Sequence, residues 1–264
     1  MQFQKTIGKY RDYLIGSLCQ KTNIVSYDDH HIYTSCLGRN SLVIDLGAYD
    51  GEFSSKVSSA FECKCLAVEA LPSSYDKIIE SKLIKKFNYV ICKNNGPVNL
   101  YVSNQPTTTS IMKKICEMHG TKENITAEGI NFEKFLEING VEDVDILKAD
   151  IEGAEMEMFA SVSDKTILKA KQITIEFHTF IDRTMRGGVE AVKKRLKRLG
   201  FFYLTFPVSW SNENDCDVLF INKNKIKLTF KEKIYIFILK YILLRFNCIR
   251  KNAYQHRQNS CLPD

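Results

Sequence analysis

The chain lacks a long apolar run. Residues 231–249 come nearest to one, yet Lys240 and Arg245 interrupt them and leave an unbroken stretch of six, Ile234 to Leu239. A bilayer-crossing helix needs ~20 apolar residues, and a lysine at its centre costs about 2.5–3.5 kcal/mol on insertion scales, so a membrane span is disfavoured. A cleavable-leader pattern is also missing: residues 1–20 carry Lys5, Lys9, Arg11 and Asp12 where an apolar core would stand, and they read as an amphipathic helix. Of nine cysteines only Cys63 and Cys65 lie close together, with no second pair or nearby histidine to complete a zinc pattern. An odd, scattered set points to free thiols, mostly buried as small apolar residues, in a reducing cytoplasm. There is no internal repeat, and the Gly-x-Gly-x-x-Gly turn that cradles a dinucleotide pyrophosphate is absent.

Basic charge is scarce outside the C-terminus. The net charge is +6, but residues 223–264 hold ten Lys or Arg and two acids, a net of +8. Residues 1–222 therefore carry 27 basic against 29 acidic residues, a net of −2. A nearly neutral body with a basic tail argues against nucleic-acid binding by the whole protein. The 264 residues suit one α/β domain with extensions, divided as 1–40 N-terminal extension, 41–222 ligand-binding domain and 223–264 tail.

What is present begins at residues 41–54. Leu42, Val43 and Ile44 end in Asp45, and a turn with Gly47 and Gly51 leads into a helix-forming segment. That order reads as a buried strand, a tight turn and a helix N-terminus, with glycine where the backbone must approach a ligand or take positive φ. Eighteen residues past Gly51, the apolar stretch Cys65 to Val68 ends in Glu69, where a doubly wound sheet binds ribose hydroxyls. Asp45 beside the turn would repel a pyrophosphate but not the cationic amino-acid end of S-adenosylmethionine (SAM). Further on, Val144-Asp-Ile-Leu-Lys-Ala-Asp-Ile-Glu-Gly-Ala-Glu155 and Ile173-Thr-Ile-Glu-Phe-His178 are strands that end in acids and a histidine.

Four pieces together resemble the FkbM family of SAM-dependent methyltransferases: Asp45-Leu-Gly-Ala-Tyr-Asp-Gly51, Val68-Glu-Ala-Leu-Pro72, Leu147-Lys-Ala-Asp-Ile-Glu-Gly-Ala-Glu155 and Ile175-Glu-Phe-His178. The resemblance spans roughly residues 40–222. It implies a class I methyltransferase fold: α/β, Rossmann-like, a seven-stranded mostly parallel sheet with a reversed edge hairpin and helices on both faces. It implies SAM as cofactor, held by Asp45, Gly47, Ala48, Gly51, Glu69, Asn94 and Asp150. One departure is Lys93, in Cys92-Lys-Asn-Asn-Gly96, where the family carries a small residue.

Strands are expected near 42–46, 65–69, 88–92, 98–103, 144–149 and 172–177, and helices at 51–60, 73–82, 131–138, 153–160 and 188–199. The segments 201–206 and 217–222, joined through Asn212 to Asp215, read as a hairpin. Residues 104–130 read as a polar, irregular loop, a natural acceptor-covering lid with a hydroxyl-rich start at Gln105 to Ser110. His30 and His31 are adjacent, would point to opposite sides of a strand, and so do not suggest a metal site.

SAM carries an electrophilic methyl, and an acceptor hydroxyl needs alignment and loss of its proton. His178, just past a strand end, is the expected general base, with Asp150 the second candidate. Glu176, on the same strand face as His178, would orient it or accept from the acceptor. Lys148 is expected to pair with a carboxylate and hold it ionised, and Glu155 to be structural, in the first turn of a helix. Asp150, Glu152, Glu176 and His178 are also hard-metal donors, but nothing in their spacing demands an ion and none is expected.

The expected reaction is O-methylation of a sugar, glycolipid or secondary metabolite. The alternatives are methylation of protein or nitrogen acceptors and a non-catalytic SAM-binding role. The first alternative lacks its usual Asn/Asp-Pro-Pro-Tyr-type mark, for Asp150-Ile-Glu-Gly153 stands after the fourth strand. Residues 231–249 read either as an interfacial helix drawn to anionic lipid or as a helix packed on the domain or a second subunit, with 250–264 disordered. The sequence therefore gives a cytoplasmic protein with possible peripheral membrane contact and sets no oligomeric state.

Overall fold

A computed structural model describes residues 13–118, 120–178, 183–206 and 217–243. The central sheet has seven strands. Its parallel part comprises β3 (Leu42–Leu46), β4 (Lys64–Val68), β5 (Ile84–Phe87), β9 (Val144–Ala149) and β10 (Ala170–Glu176). Beyond β10, β12 (Asp217–Asn222) runs antiparallel between β10 and β11 (Phe201–Phe206). The order β11-β12-β10-β9-β3-β4-β5 is the class I methyltransferase sheet with its reversed edge hairpin. Strand order reverses between β3 and β9, and such a switch point opens a crevice at the carboxyl ends of the strands.

Period-two alternation assigns the two faces. Ile44, Leu46, Leu147, Ala149, Ile173 and Ile175 pack with α5 (Phe132–Ile138), α6 (Glu155–Ser161) and α8 (Arg186–Arg198), whose buried residues include Phe135, Phe159 and Leu196. Val43, Cys65, Ala67 and Ile146 face the other way, onto Phe53 and Val57 of α2 (Glu52–Phe61). Further along that second side, Leu204, Phe206, Leu219 and Ile221 are covered by α1 (residues 13–22) and α9 (residues 230–243). The hairpin of β1 (Ile24–Tyr27) and β2 (His30–Tyr33) also lies there. Tyr33 exchanges two hydrogen bonds with the Gln172 side chain, at 2.7 and 2.8 Å, and His31 pairs with Asp217 and stacks on Phe206 with ring centroids 3.6 Å apart. Among the described residues six cysteines are free thiols, five of them buried.

Three expectations are corrected. The third parallel strand is β5 at Ile84–Phe87, not 88–92. It is a lysine-rich edge strand with little apolar alternation, whereas the apolar pair Val90 and Ile91 forms β6 (Val90–Ile91) of a separate three-stranded sheet, ordered β6-β8-β7. Its other strands are β7 (Gly96–Ser103) and β8 (Thr121–Ile130), so 98–103 lies outside the main sheet and the last ten residues of the expected irregular loop are strand. Most of β8 is exposed or half-buried, and its polar composition masks it. The expected helix 73–82 shrinks to α3 (Pro72–Tyr75). The Ser81 hydroxyl then accepts from the Leu83 and Ile84 amides and turns the chain into β5. Residues 1–12 of the expected N-terminal helix, the turn through Asn212 to Asp215, and residues 244–264 lie outside the described residues.

Candidate active site

The turn after β3 is shaped by contacts only glycine permits. The Gly47 and Ala48 amides both donate to the Val68 carbonyl, at 2.9 and 3.0 Å. Gly47 has φ +73°, and a Cβ there would lie 1.7 Å from the Asp150 carbonyl oxygen. Gly51 precedes α2 at φ +84°, with Ile78 3.1 Å from where its Cβ would be. Glu69 joins this turn to the next one: its two carboxylate oxygens accept from the Tyr49 and Leu71 amides, each at 2.8 Å. Burial pushes its pKa up to about 7, against the opposing pull of those two amides.

Strand register then builds a charged row. Asp45 of β3 lies beside Lys148 of β9, which lies beside Thr174 of β10. Asp45 is fully buried; Ser54 Oγ donates to its Oδ2 at 2.6 Å and Lys148 Nζ stands 3.1 Å from its Oδ1. The same ammonium donates to the Gly47 carbonyl at 2.8 Å and lies 3.7 Å from Asp150 Oδ2. Burial opposes the charge of Lys148, but Asp45 and Asp150 outweigh it and raise its pKa. Asp150 is held ionised in turn: burial works against its charge, and Lys148, His30 and His178 more than offset it. Asp45 thus sits beneath the turn rather than on the cleft wall, and its charge reaches the cleft through Lys148.

Glu155 Oε1 accepts from the Ile151 and Gly153 amides at 3.0 and 3.2 Å, which fixes the loop before α6. Gly153, at φ +93°, leaves room for Ile115 of α4 (Lys113–Met118), which a Cβ would approach to 2.3 Å. Glu152 holds φ +51°, and its carbonyl accepts from Ser110 Oγ at 2.6 Å.

His178, 2% exposed, is ringed by acids. Its Nδ1 lies 3.3 Å from Glu155 Oε1; its Nε2 lies 3.2 Å from Glu152, 3.7 Å from Asp150 and 3.9 Å from Glu176. Burial alone would lower its pKa, but Glu152 and Glu155 reverse this and raise it well above the ordinary histidine range. The raised pKa works against the expected role as general base, because a protonated imidazole has no lone pair to offer. The Glu176 carboxyl goes the other way. Burial and then the charge of Asp150 push its pKa up to about 9, which keeps it protonated near neutrality.

Lys148, Asp150, Glu152, Glu176 and His178 line a cleft of about 580 Å³ at the sheet's switch point, together with Gly47, Ala48 and Glu69, while Glu155 lies sealed behind it. Asn94 does not reach it. Because β5 ends at Phe87, the wall at that place is Tyr89 to Ile91, and Asn94 lies exposed on the turn into β7. The hydroxyl-rich start of the expected lid does line the cleft, through Thr107, Thr108, Thr109 and Ser110. Thr109 Oγ1 is buried there with no hydrogen-bond partner.

One cleft residue escaped sequence reasoning. His30, 3% exposed, is carried in by the β1–β2 hairpin, with Nε2 3.6 Å from Asp150 Oδ2 and Nδ1 3.5 Å from Thr174 Oγ1. The available signal was the Asp28-Asp29 turn, both residues at positive φ, which makes His30 the first residue after a tight hairpin. His30, Asp150 and Glu176 form one set of convergent metal donors, and Asp150, Glu152 and His178 another. The Lys148 ammonium and the His178 imidazolium already stand among these carboxylates as counter-charges.

The sequence matches the family profile of the Methyltransferase FkbM domain over residues 45–203. Among curated proteins, it is 36% identical over 62 residues to the AMB antimetabolite synthetase AmbE of Pseudomonas aeruginosa, a stretch that is 24% of this chain and 3% of that protein. Among solved structures it resembles methyltransferase FkbM from Methylobacillus flagellatus KT, at 12% identity and a TM-score of 0.46, over 76% of this chain and 47% of that one. It also resembles precorrin-6y C5,15-methyltransferase from Geobacter metallireducens GS-15, at 12% identity and a TM-score of 0.41, over 81% and 87% of the two chains.

Proposed function

The chain belongs to the FkbM methyltransferase family, and we propose that it transfers a methyl group from SAM to a hydroxyl of a sugar, glycolipid or secondary metabolite. Family and fold imply SAM, whose sulfonium supplies an electrophilic methyl when bound. The residues present suit it. Gly47 and Ala48 stand on the cleft wall, where their backbone would meet the cofactor, while the Cβ-free sides of Gly47 and Gly51 are taken up by the Asp150 carbonyl and Ile78 and so fix the shape of the turn. Glu69, already tied to the two neighbouring turns, would accept from the ribose hydroxyls. Asp150, beside the same turn, would face the amino-acid end.

The observation that carries the acceptor class is the Thr107 to Ser110 wall, which lines the same cleft as the Asp150, Glu176 and His178 cluster. A hydroxylated acceptor would satisfy the unpartnered hydroxyl of Thr109, while those of Thr108 and Ser110 are already bonded within the chain and shape the wall. Asp150 is assigned as the proton acceptor. Its Oδ1 is a buried oxygen without a hydrogen-bond partner, and its charge is secured by Lys148, His30 and His178. A weak base suffices, because a hydroxyl whose oxygen is gaining a methyl group becomes strongly acidic. Glu176, protonated, would donate a hydrogen bond to the acceptor, and His178 would hold the acidic cluster together as a cation.

Isotope-labelled SAM mixed with host extract, later split into lipid, polysaccharide, small-molecule and protein fractions, tests the reading. Label should enter one of the first three and be lost with Asp150→Asn. Label confined to protein would overturn the hydroxyl assignment.

Glu69 gives a pH-dependent prediction. Its carboxyl is protonated below about 7, and the ionised form is the stronger acceptor for ribose hydroxyls. Affinity for S-adenosylhomocysteine, measured by calorimetry, should therefore rise with pH up to about 7 and then level off, changing at most tenfold per pH unit on the acid side. Glu69→Gln should bind more weakly and without this dependence. An unchanged pH dependence in the variant would remove Glu69 from the ribose contact.

A further inference from the structure

Helix α9 has two apolar faces. Ile236, Leu239 and Leu243 are buried against Ile15, Cys19 and Leu219. Glu232 on the same face accepts from Asn23, Tyr33 and Thr229. Among the described residues the opposite face is exposed: Phe230 is 80% exposed, Phe237 74%, Tyr241 54%, Ile234 44% and Ile238 38%. These are five of the nine large apolar side chains exposed among the described residues, so one helix concentrates what the rest of the surface scatters. At about 100° per residue, positions 230, 234, 237 and 241 fall on one stripe directly opposite the buried face. Lys231 and Lys233, both exposed, lie about 80° to either side of it, and Lys223 and Lys227 are exposed just upstream.

We propose that this stripe seats on an anionic membrane surface, with its aromatic and aliphatic side chains at the headgroup boundary and the flanking lysines on lipid phosphates. Aromatic residues in an apolar strip edged by lysines match such an interface chemically. Charge decides against a second copy of the chain as the occupant. Residues 223–264 carry +8 while the remainder carries −2, so pairing two such faces would bring like charges together, whereas an anionic bilayer attracts them. The contact lies in the membrane plane, since no helix among the described residues is long and apolar enough to cross a membrane. It uses a surface separate from the cleft and does not depend on the methyl-transfer reading.

The test is co-sedimentation of the full chain with vesicles of phosphatidylcholine alone and with added phosphatidylglycerol. Binding is expected to the anionic vesicles, to weaken with salt, and to fall by about tenfold for each phenylalanine removed in Phe230→Asp/Phe237→Asp. Both side chains face solvent, so the double variant should keep its circular dichroism and its affinity for S-adenosylhomocysteine. No binding to anionic vesicles, or equal binding by the folded double variant, would overturn the proposal. So would a dimer in sedimentation velocity that the double variant dissolves, which would assign the face to a second copy.

Discussion

Lys148→Met is expected to destabilise the fold by about 3–5 kcal/mol, the largest stability change for any one side chain of the site. Lys148 is 3% exposed and serves the Asp45 carboxylate, the Asp150 carboxylate and the Gly47 carbonyl together. A methionine fills the same volume but leaves Asp45 and Asp150 without their shared cation. Arginine would not substitute, since its planar fork cannot occupy a point-charge position between three acceptors. Chemical denaturation should show the loss, with S-adenosylhomocysteine binding abolished because the Gly47 carbonyl loses its anchor. The double variant Asp45→Asn/Lys148→Met removes one of the stranded charges. It should be more stable than Lys148→Met alone, a coupling that a double-mutant cycle resolves. A single variant within about 0.5 kcal/mol of the parent would mean that the ammonium does not secure the two acids.

The same ion pair shows how much of the site was legible in the sequence. Asp45, Gly47, Gly51, Lys148 and Asp150 sit at strand ends, where local pattern and strand order decide position, and the pairing of Lys148 with a carboxylate was foreseeable from period two. The long-range consequences were not. That Asp45 is sealed beneath the turn follows from the register Asp45↔Lys148 and from Ser54 rising off α2, neither of which spacing records. His178 looked like a base because an isolated histidine titrates near neutrality. In the fold Glu152 and Glu155 raise its pKa, brought onto it by a turn held at positive φ through Glu152 and Gly153. Asn94 was misplaced because an edge strand such as β5 needs only one buried residue, Ile84, and so leaves a faint pattern. His30 comes from a hairpin outside residues 45–203, which match the family, and is delivered by contacts of that hairpin with Asp217 and Gln172 far along the chain.

Asp150→Asn and His178→Gln should both lose methyl transfer, but in different ways. Asp150→Asn keeps the size of the side chain but replaces the basic carboxylate with an amide that cannot take the acceptor's proton, so the rate should drop by about 10²–10⁴-fold. Affinity for S-adenosylhomocysteine should fall less steeply than the rate, by the loss of the one charge that faces the cofactor's amino-acid end. His178→Gln removes a cation that helps keep Asp150 ionised and leaves Glu152 and Glu176 more strongly biased toward their protonated forms. The sign follows from linkage. Asp150 has a depressed pKa, so the parent stays active until pH falls well below the usual carboxylate range. Without the imidazolium that pKa climbs toward its ordinary value, and the acid limb of the rate profile moves to higher pH. A base at His178 would behave otherwise: its loss would erase the limb, and Asp150→Asn would leave it in place. Rates measured across pH in the extract fraction that accepts label separate the two cases. A limb erased by His178→Gln would return the base role to the histidine, whereas a shifted limb, with the rate collapsed in Asp150→Asn, places the proton on the aspartate.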